Sequence, residues 1–554
     1  MEKPLPPKYY HSNFHYLIQF VVEKYTHILE KPELEFLMQF AALSENAQCW
    51  FIRFCNRKGS FFKYQNIGYE ELDSLDIHFD ILAQNSFISK LTYEQHADAI
   101  KDILHIVTKP ELQALFDLPK LKTAKKEVWV EVLLETFTTF EVFDKIQKGI
   151  PILRVNYEKE ANFIKFLFFG NRYLDMTEFV LADLGVVTYQ KQSEDSMVAR
   201  FSTRKEAEDK WMLTDQYILF KELKEVFSIS ELADWFFKLK VQLSNLSEIA
   251  QPSWEKLQLQ IAKFFEQKKA FQEAIEVYTG LACVPARERK VRCLQKLGFL
   301  EEATSLCAEM QLEPQNADEL YFAQDFVKSI AGKKNKKQST IELADASQIE
   351  ISSIFKYRVE MGAVHYFETQ GYSGAFSENF SWRAIFGLFF WDIIFDPNLV
   401  AFHHPFQRRP SDLHLPAFYE KREQQIKALL ASFDTNQELW EHLENQFIDH
   451  QGIANPFVIW IEEIWNMVEI LANRIPIEKL KIILLKMAEN IVENTRGFPD
   501  LLIWNETEIH FVEIKGPNDT LSNQQLYWQH FFKEIDVPSY VLKVVFTKDN
   551  TSLD

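Results

Sequence analysis

The chain has 554 residues and a formal net charge of −19, with 47% hydrophobic and 25% charged residues. These proportions are typical of soluble globular proteins, and the length predicts several domains with buried cores. An acidic balance disfavours a polyanionic partner, but it does not exclude nucleic acid, because binding depends on local basic surfaces.

The cysteines and the N-terminus favour an intracellular protein. Five cysteines are present, an odd number without metal-site spacing, so we expect buried thiols in a reducing compartment. Residues 1–7 do not form a secretory signal, and no apolar run is long enough to span a bilayer. The cysteines are Cys49, Cys55, Cys283, Cys293 and Cys307.

Residues 1–90 are predicted to form a helical, winged-helix-like module. Ser44 is placed to cap a helix whose apolar stripe runs over 47–54. Arg53, Arg57 and Lys58 fall at the end of this helix. Two interpretations remain open for these cations: they complement the helix dipole, or they contact a DNA backbone.

Residues 91–245 are predicted to be a second helical region. A short helix begins near Pro110, which suits a first helical turn, and a second helix follows over 128–137. Between them lies a basic turn, so the segment resembles an SAP-type DNA-binding module. A solvated loop explains the same pattern equally well. The lysines of interest are Lys122, Lys125 and Lys126.

Residues 246–345 are predicted to form degenerate tetratricopeptide-like repeats and a basic linker. Ala274 and Ala303 occupy matching positions of two helical hairpins, but their spacing falls short of the full period. We interpret the repeats as a spacer between domains. The linker over 333–337 contains four lysines, which serve either solubility or contact with DNA.

The last domain, 346–554, contains two short apolar runs around the polar turn 505–508, a pattern typical of a β-hairpin. Asp500 opens the first run, while Glu513 and Lys515 end the second. Residues two apart in a strand share a face, and the antiparallel return can bring Asp500 beside them. A helix over 523–534 and a strand over 540–546 are expected to follow.

This set of side chains indicates phosphodiester hydrolysis. Asp500 and Glu513 are predicted to hold one or two Mg²⁺ or Mn²⁺ ions, with the Ile514 carbonyl as a further ligand. Such ions activate water and screen phosphate charge. Lys515 is predicted to orient the water or stabilise charge on the phosphorane oxygens. A solvated hairpin is the alternative, but it leaves the joint placement of Asp, Glu and Lys unexplained.

This domain contains further polar residues that are candidate ligands or DNA contacts. His403, His404 and His414 are poor zinc ligands, because adjacent histidines point apart and no cysteine lies near. Four cations follow them and make a better case as DNA contacts: Arg408, Arg409, Lys421 and Arg422.

The sequence from Pro499 to Lys515 resembles the PD…(D/E)xK nuclease pattern. Its continuation to Gln525 resembles one branch of that superfamily, the virus-type replication-repair nuclease (VRR-NUC) domain. Within this branch the chain is similar to the Fanconi-anaemia-associated nuclease family. The segment 47–62 also resembles that family, and 163–186 resembles its bacterial members.

The resemblance implies further site residues. Glu378, just ahead of the segment that ends Trp391–Phe395, matches the family's upstream glutamate ligand, and Gln525 matches its glutamine on the helix after the core strands. The implied metal ligands are Glu378, Asp500, Glu513 and Ile514. The implied catalytic residues are Asp500, Glu513, Lys515 and Gln525.

The resemblance also implies an activity. We expect a metal-dependent, structure-specific nuclease with 5′-flap endonuclease and 5′ exonuclease activity of phosphodiesterase I type. Its partner would be branched or flapped DNA during interstrand-crosslink repair, together with potential repair-protein partners but no membrane. It would act at the cytoplasmic nucleoid of a bacterium, or in the nucleus of a eukaryote; the sequence leaves the oligomeric state open.

We therefore predict a multidomain, mostly α-helical chain that ends in an α/β PD-(D/E)xK nuclease domain. One alternative is a Holliday-junction-type resolvase, but small resolvases dimerise to cut symmetrically, whereas here about 350 residues precede the site. A second alternative is a non-catalytic DNA-binding scaffold with a decayed nuclease fold. The presence of all four polar site residues speaks against decay: Glu378, Asp500, Glu513 and Lys515.

Overall fold

The computed structural model describes residues 5–57, 59–64, 68–330, 336–399 and 401–547. These residues are mostly helical and form two compact units, one over 1–187 and 198–211, the other over 188–197 and 212–554. Lys58 and the linker lysines 333 and 334 lie outside the described residues. Within the described ranges, none of the helices has the length and apolarity that crossing a membrane requires.

The first unit consists largely of short helices whose apolar stripes face a common core. The first helix shows the pattern, because its buried residues Phe14, Leu17 and Val21 recur at helical spacing. Capping boxes start two of the later helices, at Thr108 and Thr138. The helices are α1 Tyr9–Tyr25, α2 Lys31–Ala42, α3 Glu45–Cys55, α4 Leu75–Gln84, α5 Tyr93–His96, α6 Ile100–Ile106, α7 Lys109–Leu115, α8 Lys126–Thr136, α9 Thr139–Gly149, α10 Glu158–Phe169 and α11 Thr177–Asp183.

A small antiparallel sheet, which the sequence analysis did not predict, joins distant parts of this unit. Its strands are β1 Phe61–Lys63, β2 Ile88–Lys90 and β3 Ile152–Val155, and β3 lies between the other two. Strand β3, which lies beyond the predicted boundary at residue 90, supplies the hydrogen-bonding partner of both earlier strands.

The second unit begins with stacked helices. Helix α12, Arg204–Val226, belongs in part to each unit. Neighbouring helices from α14 to α18 pack on one another, as repeated helical hairpins do. One buried cluster extends from Leu213 to Cys293 and so includes residues on both sides of the predicted boundary at 245. The helices are α13 Ile229–Gln242, α14 Gln251–Gln267, α15 Phe271–Tyr278, α16 Ala286–Leu297, α17 Leu300–Leu312, α18 Ala317–Ile330 and α19 Gln338–Asp345.

A five-stranded mixed sheet follows. Its strands are β4 Ser347–Ile351, β5 Ser373–Phe376, β6 Leu501–Trp504, β7 Ile509–Lys515 and β8 Ser539–Phe546. The order is β4-β8-β7-β6-β5, with β8 parallel to both β4 and β7. Strands β6 and β7 pair antiparallel from Leu501–Val512 to Trp504–Ile509, which confirms the predicted hairpin.

The remaining helices cover this sheet and extend the unit. They are α20 Val359–Thr369, α21 Asn379–Phe389, α22 Trp391–Ile394, α23 Ala417–Ala431, α24 Asn436–His450, α25 Glu462–Arg474, α26 Ile477–Glu489, α27 Ile491–Asn494 and α28 Asn523–Glu534. Helix α25 ends ahead of Pro476, because the residue before a proline disfavours helical backbone.

Alternation along the strands gives the sheet two apolar faces. Leu501, Val512 and Ile514 belong to the core on the α20 side. Leu502 and Phe511 belong to the larger core with α21 and α28. In that larger core the Phe498 ring stacks on Trp382 and Trp528, with centroids 4.8 and 4.1 Å apart, which fixes the chain directly ahead of Asp500.

Candidate metal-dependent active site

Backbone pairing brings Glu378 and Asp500 together although they are distant in sequence. Strand β5 pairs with β6, with Phe376 opposite Leu501. Beyond that pair, the Ser377 amide donates to the Asp500 carbonyl at 2.9 Å, and the Ser377 hydroxyl donates to the Pro499 carbonyl at 3.1 Å. Glu378 therefore follows directly on a segment bonded to residues 499 and 500, and it lies exposed at the start of α21.

The Asp500 carboxylate is held against the end of strand β7. Its Oδ2 accepts a hydrogen bond from the Ile514 amide at 2.8 Å. The Ile514 side chain is buried in the core on the α20 side, so Glu513 and Lys515 project from the opposite face. The structure thus places Asp500 at the end of β7 that carries both predicted partners.

Glu513, Lys515 and Gln525 form one hydrogen-bonded group. Glu513 is fully buried, and its Oε1 lies 2.8 Å from the Lys515 Nζ. The Gln525 side chain donates to the same Glu513 oxygen, and its Oε1 lies 3.2 Å from the Lys515 Nζ. Gln525 also forms a capping box with Ser522 at the start of α28. This geometry favours a positioning role for Gln525, because its amide orients both charged groups.

Burial and mutual repulsion perturb both central carboxyl groups. Burial raises the pKa of Asp500 to about 6, although the Ile514 amide and Lys515 oppose the change and Glu378 adds to it. Burial, and after it the neighbouring Asp500 carboxylate, raise the pKa of Glu513 to about 8, although Lys515 opposes the change. Two close carboxylates resist simultaneous ionisation in a buried site, so a proton held by Glu513 stabilises the pair.

The carboxyl groups fit a hard divalent cation. Among the described residues, no three His, Cys, Asp or Glu side chains are already gathered as in an assembled metal centre. Lys515 and Gln525 contact one oxygen of Glu513. Its other oxygen, Oε2, is buried without a hydrogen-bond partner. Such an oxygen requires a compensating partner, and Mg²⁺ or Mn²⁺ prefers oxygen ligands. The donors that fit are those of Glu378, Asp500 and Glu513.

Arg53 and Arg57, two predicted DNA contacts, line a basic cavity of about 520 Å³. Arg53 is ion-paired with Glu71 and lies 4.0 Å from the Tyr10 ring centroid, so its charge is largely offset. Arg57 is exposed and, within the described residues, makes no ion pair. Lys165 and Arg172 also line the cavity. Neither residue was predicted from the sequence, because both are distant along the chain from Arg53 and Arg57.

The lysines of the SAP-like segment differ in environment. The predicted order of short helix, basic turn and second helix is present as α7, residues 119–125 and α8. Lys122 and Lys125 are exposed. Lys126 instead donates a hydrogen bond to the His105 carbonyl, and burial lowers its pKa, so it is less available than its neighbours.

One predicted DNA contact in the second unit is wrong. Arg422 is completely buried, and its guanidinium is paired with Asp412 at 2.9 Å, so it is structural. Arg408 and Arg409 are both exposed, the latter bonded to His414. Lys421 is half-exposed and lies 3.8 Å from Asp412. Sequence could not separate Lys421 from Arg422, because only the direction of α23 against the core distinguishes them.

The fold and the carboxylate–lysine group define a nuclease domain of the PD-(D/E)xK class. A family model described as the VRR-NUC domain matches residues 434–546. A second model, described as the FAN1 HTH domain, matches residues 8–89.

Several proteins resemble the chain over most of its length. The Fanconi-associated nuclease 1 homolog of Pseudomonas aeruginosa is 26% identical, covering 98% of this chain and 97% of its own. The Arabidopsis thaliana homolog is 26% identical over 94% of this chain and 65% of its own. The crystal structure of paFAN1 bound to DNA with a 2-nucleotide 5′ flap and a gap superposes with a TM-score of 0.84 at 25% identity, covering 99% of this chain and 100% of that chain. The chain is similar to Fanconi-associated nucleases over nearly its whole length, which confirms the resemblance found in the sequence.

Proposed function

We propose that this chain is a metal-dependent, structure-specific DNA nuclease that cuts near 5′ flaps during DNA repair. The observation that carries the proposal is the convergence of Asp500, Glu513 and Lys515 around one buried, unpartnered carboxylate oxygen. Full-length similarity to a structure bound to 5′-flap DNA supports the substrate class. Phosphodiesterase I-type 5′ exonuclease activity and action on interstrand crosslinks belong to the same proposal.

The cation site would be formed by Glu378, Asp500 and Glu513, with the Ile514 carbonyl as a further donor. When bound, one or two Mg²⁺ or Mn²⁺ ions supply Lewis-acid activation of water and of the scissile phosphate. The donor set supports this choice, because it consists of oxygen atoms without cysteine or histidine.

The remaining groups have separate tasks. Lys515 carries a positive charge next to Glu513 and would stabilise the negative charge that develops on the phosphate oxygens in the transition state. Gln525 would hold the side chains of Lys515 and Glu513 in fixed positions relative to each other, because its amide bonds to both. Substitution of Gln525 should therefore lower the cleavage rate indirectly, by changing the orientation of these two side chains.

Binding would extend over the first unit and the exposed arginines of the second. Arg57, with Arg172 in the basic cavity, is expected to contact phosphates, and Arg53 contributes less because Glu71 neutralises it. Lys165 also contributes less, because it donates to the Cys55 carbonyl at 3.2 Å and burial lowers its pKa. The exposed cations proposed to assist are Lys122, Lys125, Arg408 and Arg409. The helical repeats are proposed to act as a spacer between domains.

The test is cleavage of labelled 5′-flap, 3′-flap, four-way and single-stranded DNA by the full-length protein, with Mg²⁺, with Mn²⁺ and with EDTA. We expect a cut close to the 5′-flap junction with either ion and none in EDTA. Symmetric cutting of four-way DNA would favour a resolvase. Binding without cutting, under every metal condition, would favour a non-catalytic scaffold.

A further inference from the structure

The turn between β4 and α20 lies at the active-site end of the nuclease sheet. This β4–α20 turn comprises residues 352–358. Strand β4 runs parallel to β8, and β8 runs parallel to β7, so the turn leaves the sheet at the same end as Lys515. The first residue of α20, Val359, has its Cγ2 3.6 Å from the position that a Cβ on Gly516 would take. The turn therefore adjoins the residue that follows Lys515.

The turn exposes large side chains that the fold itself does not require. Tyr357 is 91% exposed and Ile354 is 78% exposed. Lys356 and Arg358 are also exposed, and neither forms an ion pair with any residue that the structure describes. The Lys356 Nζ lies 5.9 Å from the centroid of the Tyr357 ring. An exposed aromatic ring between two cations is a composition that suits nucleic acid.

The backbone of the turn is ordered by its own hydrogen bonds. The Phe355 amide donates to the Ser352 carbonyl at 3.1 Å, and the Arg358 amide donates to the Phe355 carbonyl at 2.8 Å. The Phe355 side chain packs so closely on Gly362 that a Cβ there would lie 2.8 Å from the Phe355 Cβ. The exposed side chains thus project from a fixed support, which reduces the ordering cost of binding.

We propose that the β4–α20 turn binds an unpaired nucleotide next to the scissile phosphate, with Tyr357 stacked on its base and Lys356 and Arg358 on the flanking phosphates. The ligand is an unpaired nucleotide because both faces of a base inside a duplex are already covered by stacking. Stacking on an aromatic side chain tolerates any base. The proposal rests on the nuclease function and adds to it a reason for preferring branched DNA over an uninterrupted duplex.

The test combines base fluorescence with kinetics on the full-length protein. Flap DNA carries 2-aminopurine at each position around the cut in turn, and binding is measured in EDTA. We expect one position to change its fluorescence with the wild type and with Tyr357→Phe. With Tyr357→Ala that change should be lost, and KM for flap cleavage should rise on the order of 10-fold with a smaller effect on kcat. Leu312→Ala, at a side chain 83% exposed, is the matched control and should behave as wild type.

The cations are tested separately. Lys356→Ala and Arg358→Ala should each lower the salt slope of flap binding by about 1, as expected for one lost phosphate contact. Lys427→Ala should leave the slope unchanged, because its charge is already paired with Glu423 at 2.6 Å. Unchanged fluorescence and KM in Tyr357→Ala, while the wild type cleaves flaps, would overturn the inference alone. A wild type that cleaves no branched DNA would instead refute the nuclease function.

Discussion

The buried carboxyl group of Glu513 makes the stability of the metal-free nuclease sheet depend on pH. We consider Glu513→Gln, which keeps the size of the side chain but cannot ionise. In the wild type, burial and then the Asp500 carboxylate raise the pKa of Glu513 from its ordinary value of 4.5 to about 8. The substitution should therefore remove most of the pH dependence that this group contributes.

The sign and size follow from proton linkage. Because the pKa is higher in the folded state, the stabilisation is fully present below 4.5 and is lost as pH rises through 8. By about pH 8 the loss from Glu513 should reach on the order of 4 kcal/mol. Asp500 acts in the same direction, because its pKa rises from 3.8 to about 6. Metal-free Glu513→Gln should thus be more stable than the wild type at about pH 8 by several kcal/mol.

Hydrogen exchange of peptides covering β7 measures this effect locally, which matters because a chain with two units need not unfold in one step. The free energy of opening in EDTA should fall with pH in the wild type and much less in Glu513→Gln. Adding Mn²⁺ should restore the wild type at high pH and leave the variant unchanged. Glu506→Gln, at an exposed glutamate on the same hairpin, is the control and should keep the wild-type slope.

Two results would refute this reasoning. One is a β7 strand in the metal-free wild type that becomes more stable between about pH 5 and pH 8, since a raised carboxyl pKa demands the opposite. The other is a wild-type slope in Glu513→Gln, which would show that Glu513 is not the titrating group.

The remaining predictions concern catalysis, binding and packing. Lys515→Ala should lower single-turnover cleavage on the order of 10²–10³-fold while Mn²⁺ titrations show retained metal affinity; an unchanged rate would contradict its role. Asp500→Asn should abolish turnover and metal binding, yet leave flap binding in a gel-shift assay close to wild type. Arg57→Glu should weaken flap binding and reduce its salt dependence without changing turnover at saturation, and equal affinity would exclude the basic cavity as a contact. Gly387→Ala should destabilise the nuclease core by about 1–3 kcal/mol in thermal unfolding, because the new Cβ would lie 2.7 Å from the Phe457 Cβ.

The comparison of sequence with structure separates local features from long-range ones. The helix Asn523–Glu534 and the hairpin around 505–508 have the predicted positions, because capping, periodicity and turn chemistry act over a few residues. The five cysteines are free thiols, four of them buried. The resemblance to a nuclease family could also be recognised from the sequence, since its motif residues lie in two short segments.

Pairing between strands that are distant in the chain could not be predicted from the sequence. Strand β3 completes a sheet whose other strands end more than 60 residues earlier, and strands this short carry too little pattern to be predicted. Arg422 and Lys421 are neighbours with the same charge, yet only the first is buried. Burial depends on which helix face meets the core, and that is a property of the packed chain.

The sequence by itself determined the residue types of the site and the order of Asp500, Glu513 and Lys515 along one hairpin, because strand alternation is a local rule. Only the tertiary structure decided that Ser377 bonds to Asp500 and carries Glu378 to the same place. The tertiary structure also determined that Gln525 bonds to Glu513 and Lys515 and that the β4–α20 turn lies beside Gly516. The contacts of Ser377 and of the β4–α20 turn join segments separated by long stretches of chain, whereas Gln525 lies only 12 residues after Glu513. All these positions follow from how strands and helices pack, which no local pattern encodes.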